Sequence, residues 1–234
     1  AQMQTQAASD KPAANDQLRN RVSYAMGVNL GEAWKMMRMD VDTGCIARGI
    51  NNFLQGNEQV MTLDEARAVV TQFGEQLAAR QEAERKALGD KNRTEGAAFL
   101  ERNKTRAGVI TTASGLQYKV LAEGTGDFAQ PDSWVAVKYQ GTLLDGTEID
   151  NSQRYSQPCV FSVRSVLPGW SEALQMMKPG AKWQLVLPPD LAYGSQGGLG
   201  VGPDATLIYT FELVSILPGR PEPNAEQITQ MNKD

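Results

Sequence analysis

The sequence contains no histidine. Histidine is the commonest general base near neutral pH and the commonest neutral metal ligand, so the chain lacks the usual equipment for both tasks. Only two cysteines occur, Cys45 and Cys159, and they lie far apart. Thiolate zinc sites, CxxC redox chemistry and Cys-His catalysis are therefore unsupported, and neither a metal nor a cofactor is expected. No window approaches the roughly 18 consecutive apolar residues of a membrane span. There are 23 Lys and Arg against 27 Asp and Glu, a net charge of -4, which argues against a nucleic-acid partner.

What the chain does have is 234 residues with 41% apolar content, enough for one large or two modest domains. It opens "AQMQTQAASDKPAAND", polar and rich in small residues, which predicts an unstructured segment over 1–15. The absence of an initiator methionine reads as the mature end left after signal-peptide removal, the alternative being a boundary unrelated to processing.

Over 16–60, Leu18, Val22, Met26, Leu30, Ala33 and Met37 recur at steps of three and four, the helical period. Ser23, Gly27 and Gly31 form a second row where another helix backbone could approach. "TGCIARGINNFLQG" continues as a short helix closed by Gly56, a suitable C-terminal cap. So short a segment buries little core of its own. Met26, Met36, Met37 and Met39 add adaptable apolar surface. A dimerisation module is favoured over a self-contained helical hairpin, with a homodimer expected through residues 16–77.

Residues 61–107 read as one long connecting helix. Thr62 and Glu65 in "TLDE" spell a capping box. Leu63, Ala66, Val70, Phe73 and Leu77 follow as a short seam. Beyond it, "RQEAERKALGDKNRTEG" is charged nearly all round, with Glu82 and Lys86 spaced for an ion pair. Such a helix is expected to be a solvated bridge, weakened at Gly89.

From Val109 the chemistry changes. "GLQYKVL", "WVAVKYQGTLL", "KWQLVLP" and "ATLIYTFELVSIL" read as strands, and "LLDGTEI" carries the Asp-Gly of a hairpin. Only "GWSEALQMM" reads as a helix. The expected class is α+β: an all-helical N-terminal module, a long connecting helix, and an antiparallel sheet wrapped on a short helix over 108–218. A flexible tail is expected over 219–234. The two cysteines fall in different segments, so no intrachain Cys45–Cys159 bridge is expected.

The stretches "SGLQYKVLAEGTG", "VKYQGTLLDGTEIDNS", "VLPGWSEALQMMKPGAKWQLVLPPDLAYG" and "GPDATLIYTFELVSI" cover this last segment in order. They resemble an FKBP-type peptidyl-prolyl isomerase domain. With "SYAMGVNLGEAW" and the long helix, the whole chain is similar to the macrophage infectivity potentiator group of bacterial proteins. The resemblance implies a V-shaped homodimer in the periplasm or outer cell envelope. It also implies a prolyl pocket in which Tyr139, Asp150, Leu167, Trp170 and Tyr193 carry the reaction, and Ile149, Cys159, Val166, Val201 and Tyr209 hold the substrate. In that family the glycine-rich stretch "AYGSQGGLGVGPD" is a flap over the pocket. Trp170 would be its floor, Tyr139 and Tyr209 walls, and the Leu167 N–H and Tyr193 hydroxyl donors to substrate carbonyls. Asp150 would orient Tyr139.

Three positions depart from the family pattern. Ile149 stands where Phe is usual, Cys159 where an aromatic often follows the proline, and Tyr209 where Phe is common. The pocket should be less aromatic and roomier, weakening macrolides such as rapamycin and tacrolimus. Two functions follow: an isomerase of X-Pro bonds in exported proteins, or a dimeric holdase for unfolded or proline-containing polypeptides, or a surface-binding protein, with weak or vestigial isomerase activity.

Overall fold

The computed structural model describes residues 11–220. The segments 1–10 and 221–234, most of the expected unstructured termini, lie outside the described residues. Three helices come first: α1 (Lys11–Met36), α2 (Thr43–Gln55) and α3 (Leu63–Asn103). They are followed by β1 (Val109–Thr111), β2 (Gln117–Ala122), β3 (Trp134–Thr142), β4 (Glu148–Asn151), β5 (Cys159–Ser162), α4 (Pro168–Met176), β6 (Lys182–Leu187) and β7 (Leu207–Leu217). The chain divides into two compact units between Thr71 and Gln72, inside α3.

The first unit is helical, with caps at α2 and at the start of α3. α1 starts at Lys11, within the stretch expected to be unstructured. Pro12 falls in the first turn, where its missing N–H costs nothing, and Ala13 and Ala14 favour the helix. α2 is capped by Asp42, whose carboxylate accepts the Cys45 N–H at 2.9 Å. It ends at Gly56, left-handed at φ 68°. The capping box forms: the Glu65 N–H donates to Thr62 Oγ1 at 3.2 Å, and the Thr62 N–H to the Glu65 carboxylate at 2.8 Å. Tyr24, Met26, Phe53 and Leu54 are all more than half exposed, so this unit leaves much apolar surface uncovered.

The second unit holds the sheet, in the order β1-β2-β6-β7-β3-β4, with β5 pairing the first half of β3. All pairings are antiparallel. Along β7, Leu207, Tyr209, Phe211 and Leu213 are buried while their neighbours are half-buried, the period of two that places one face on the core. That face meets α4, whose Trp170, Ala173 and Leu174 join the same cluster. Gly169 is required at the contact, because a Cβ there would sit 2.7 Å from Leu187 Cγ. Cys45 and Cys159 are both free thiols.

The second half of α3 is not solvated all round. Gly89, Gly96 and Asn103 are buried, and Asn92, Phe99 and Leu100 half-buried, at helical spacing along one stripe. The stripe lies on the sheet domain. Asn103 donates through Nδ2 to Gln117 Oε1 at 2.9 Å, and Gln117 donates through Nε2 to the Leu100 carbonyl at 2.9 Å. Gly96 faces Thr206, which leaves no room for a Cβ. Hydrophobic patterning gives little sign of this docking because four of the stripe residues, Gly89, Asn92, Gly96 and Asn103, are glycine or asparagine, and only Phe99 and Leu100 are apolar. Glu82 also differs from expectation: it binds Arg85 with two bonds of 2.8 and 3.0 Å rather than Lys86, since the forked guanidinium offers two donors. Arg220 is held as well, its guanidinium 5.8 Å from the Trp134 ring, within the expected flexible tail.

Helix propensity alone makes Gly96→Ala stabilising by about 1 kcal/mol. The close contact with Thr206 reverses the sign, and we expect a loss of about 1–3 kcal/mol from overpacking. Urea unfolding followed by tryptophan fluorescence measures it, and a stabilised variant would show that α3 does not dock on Thr206.

Candidate active site

The site is assembled around one indole. Trp170 sits in the first turn of α4, which opens with Pro168 at N1, a position that needs no N–H donor. Three rings from two adjacent strands close on it. Tyr139 of β3 lies 4.7 Å away, Tyr209 of β7 4.9 Å in a T-shaped contact, and Phe211 of β7 4.7 Å. These separations suit tilted and edge-to-face aromatic packing. The β3–β7 register sets Gly141 opposite Tyr209, and the tyrosine ring occupies the space a Cβ at Gly141 would need.

Around this buried centre stand half-buried residues from four loops and strand ends. Ile149 and Asp150 come from β4, Cys159 from the start of β5, Val166 and Leu167 from the entry to α4, and Tyr193 from the glycine-rich loop. The apolar members pack against the one core cluster. Leu167 is the N-cap of α4, so its N–H stands outside the helical ladder.

Asp150 is the charge in this set. Tyr139 donates its hydroxyl to Asp150 Oδ2 at 2.8 Å, and the other carboxylate oxygen accepts the Asn151 N–H at 2.8 Å. Burial raises the Tyr139 phenol above its ordinary value, and the Asp150 hydrogen bond and charge add to the effect. Burial likewise raises Tyr193 and Tyr209. The Cys159 thiol is pushed up by burial, against an opposing contact with Tyr139. The phenols and the thiol therefore keep their protons at neutral pH. No group of three or more His, Cys, Asp or Glu among the described residues could hold a metal ion.

Several of these residues are deeply buried. Tyr209 is only 1% exposed, and its ring packs on Trp170 and Tyr139. Val201 is 6% exposed and anchors the flap by a pair of backbone bonds of 2.9 Å with Gly198. Three contributors escaped the sequence reading. Phe161 lies 6.2 Å from Tyr139 and 6.0 Å from Trp170. Phe211 touches both of those rings. Ser152, buried, accepts the Tyr139 N–H at 2.8 Å and donates to its carbonyl at 3.0 Å. The strand alternation Tyr209/Phe211 and Cys159/Phe161 was the available signal for the two phenylalanines.

Trp170 with its surrounding rings, and the phenols and thiol that burial keeps neutral, thus gather on a sheet wrapped over one helix. The profile described as "FKBP-type peptidyl-prolyl cis-trans isomerase" matches residues 126–214, and that of the "Domain amino terminal to FKBP-type peptidyl-prolyl isomerase" matches 19–120. The Coxiella burnetii protein named peptidyl-prolyl cis-trans isomerase Mip is 39% identical over 85% of this chain and 86% of its own length. The Legionella longbeachae outer membrane protein MIP is 36% identical over 85% of each chain. The crystal structure of FkpA from Escherichia coli, 28% identical, covers 92% of this chain and 100% of its own with a TM-score of 0.66. The chain belongs to the FKBP-type peptidyl-prolyl cis-trans isomerases.

A site whose phenols and thiol all stay protonated, in a chain without histidine, has no base to titrate near neutrality. We expect kcat/KM for a proline peptide to be flat between about pH 6 and about pH 8.5. A bell centred near pH 7 would contradict a neutral site.

Proposed function

We propose that the aromatic pocket around Trp170 is where X-Pro bonds are turned, and that Tyr139, Asp150, Leu167 and Tyr193 are the groups that favour the twisted amide. The observation that carries this is the convergence of Tyr139, Tyr209 and Phe211 on one indole, with Asp150 fixing the Tyr139 hydroxyl at 2.8 Å.

Rotation about X-Pro meets a barrier of about 18–20 kcal/mol because twisting breaks amide resonance. No bond to a substrate atom breaks, so the site needs neither nucleophile nor metal. The twisted amide is less dipolar than the planar one, and a water-poor apolar pocket favours it. The Leu167 N–H and the Tyr193 hydroxyl hold the flanking carbonyls while the prolyl ring rests on Trp170. This is binding complementary to the transition state. Asp150 orients Tyr139 and polarises the edge of the pocket. Ile149, Cys159 and Val166 complete the apolar wall. Leu199 at the flap tip, 84% exposed, and Tyr155, 57% exposed, give extended clients an apolar rim. Rapamycin and tacrolimus would compete for the same pocket, weakened where Ile149 and Cys159 replace aromatic rings.

The N-terminal unit supplies the second part of the reading. An apolar groove of about 400 Å³ is lined by Phe53, Val60, Met61 and Leu63, with Cys45 at its side. We infer that a second copy of the chain covers it, giving a homodimer through residues 16–77. We infer a location in the periplasm or at the outer membrane, the second of which agrees with the name of the Legionella relative. No helix among the described residues is long and apolar enough to cross a membrane.

Asp150→Ala should lower kcat/KM by roughly tenfold or more, the scale of losing a hydrogen bond to a charged group, while circular dichroism stays unchanged. Full activity in that variant would show that the pocket is wrongly placed. Phe53→Asp buries a charge in the proposed interface, and light scattering at micromolar concentration should find a monomer. A wild-type chain that is already monomeric would remove the dimer.

A further inference from the structure

The flap that carries Tyr193 is gripped from outside by α3. The loop 194–204 is closed at its neck by one backbone bond, the Asp204 N–H donating to the Gly194 carbonyl at 2.9 Å. Gly194 directly follows Tyr193, so this bond fixes the backbone next to the phenol. Asp204 makes the bond from a left-handed conformation, φ 53°, which a non-glycine residue adopts at a cost. Contacts from outside the loop add to its hold.

α3 supplies those contacts. Arg93 Nη2 donates to Asp204 Oδ2 at 2.6 Å, and the Asp204 side chain is only 15% exposed in this pair. Arg93 is itself steadied by Asp90, one turn back, at 2.9 Å. Asn92 Nδ2 donates to the Pro203 carbonyl at 2.8 Å. Arg85 Nη1 donates to the Ser195 carbonyl at 2.9 Å, on the opposite arm of the loop. Leu88 lies so near Gly202 that a Cβ there would fall 2.8 Å from Leu88 Cδ2, and Gly89 lets Pro203 and Asp204 close on the helix. Both arms of the flap are thus fixed to one helix face. A freely exposed ion pair contributes little, but this one is half enclosed and acts on a strained residue.

We propose that Arg93 is a positioning residue of the isomerase, acting through Asp204 and Gly194 on Tyr193, with Asn92 and Arg85 holding the two arms of the same flap. The proposal rests on the functional reading above for its catalytic consequence, but the clamp itself is a property of the fold.

The full-length chain is tested with Arg93→Ala, Arg93→Lys, Tyr193→Phe and the Arg93→Ala/Tyr193→Phe double variant. Two readouts are taken: kcat/KM for a proline peptide, and amide hydrogen exchange of residues 194–204. Arg93→Ala is expected to speed exchange in the flap about tenfold and leave the rest of the sheet unchanged. It is expected to lower kcat/KM about 3- to 10-fold in the presence of Tyr193 and to have no effect once Tyr193 is Phe, because the two act as a unit. Arg93→Lys, which keeps the charge, should recover part of both. Unchanged flap exchange in Arg93→Ala overturns the clamp whether or not the chain is active. Equal losses of activity in both Tyr193 backgrounds overturn the route through Tyr193. An inactive wild type whose flap still loosens in Arg93→Ala would remove the isomerase reading and leave the clamp standing.

Discussion

The indole of Trp170 is the part against which the rest of the site is built. Its neighbours come from distant points of the chain, and each is there because of a separate backbone condition. α4 can approach β6 because residue 169 has no side chain. Tyr209 can lie across β3 because residue 141 has none either. Phe211 follows from the strand period, and Tyr139 is held by Ser152 on its backbone and by Asp150 on its hydroxyl. Remove the indole and these rings lose the surface that sets their angles. The proposed pocket is therefore a consequence of how the core closes, not a cleft added to a finished fold.

The chemistry suits that origin. A reaction that changes only a torsion asks for shape, dryness and fixed dipoles, which a close-packed core already has. The lack of histidine then loses its force as an exclusion. Burial acts on every hydroxyl and thiol of the site in one direction, keeping them neutral, and the carboxylate that remains is tied up by a phenol and a backbone N–H. Proton traffic would gain nothing here.

Local signals in the sequence were readable where one residue type satisfies one local demand. The Thr62–Glu65 box, the Gly56 cap and the short helix at Trp170 are of this kind. The proposed pocket residues rest on the family motifs rather than on periodicity. The docking of α3 was not. Its contact stripe contains Gly89, Asn92, Gly96 and Asn103, which score as breakers or polar surface in any hydrophobic pattern. Close approach of a backbone and a chain of amide bonds, Asn103 to Gln117 and Gln117 to the Leu100 carbonyl, leave only Phe99 and Leu100 as an apolar trace. Asp204 was passed over for a similar reason: in a run of glycine and proline it reads as turn filler, and its ion partner lies 111 positions earlier. Phe161 is legible from the strand period, since it shares a face of β5 with Cys159.

The glycines of α3 set the limits of what could be moved as a single piece. The strand-rich segment beginning at Val109 has the outline of a portable domain. Cutting there would uncover Thr206 and the Gln117 amide, both buried here, and would free the neck of the flap from its outside hold. The piece that could be grafted onto another protein with its surfaces intact starts well up the long helix, near Gln72, where the compact unit begins. A helix that looks like a spacer is, over its second half, an outer wall of the enzyme.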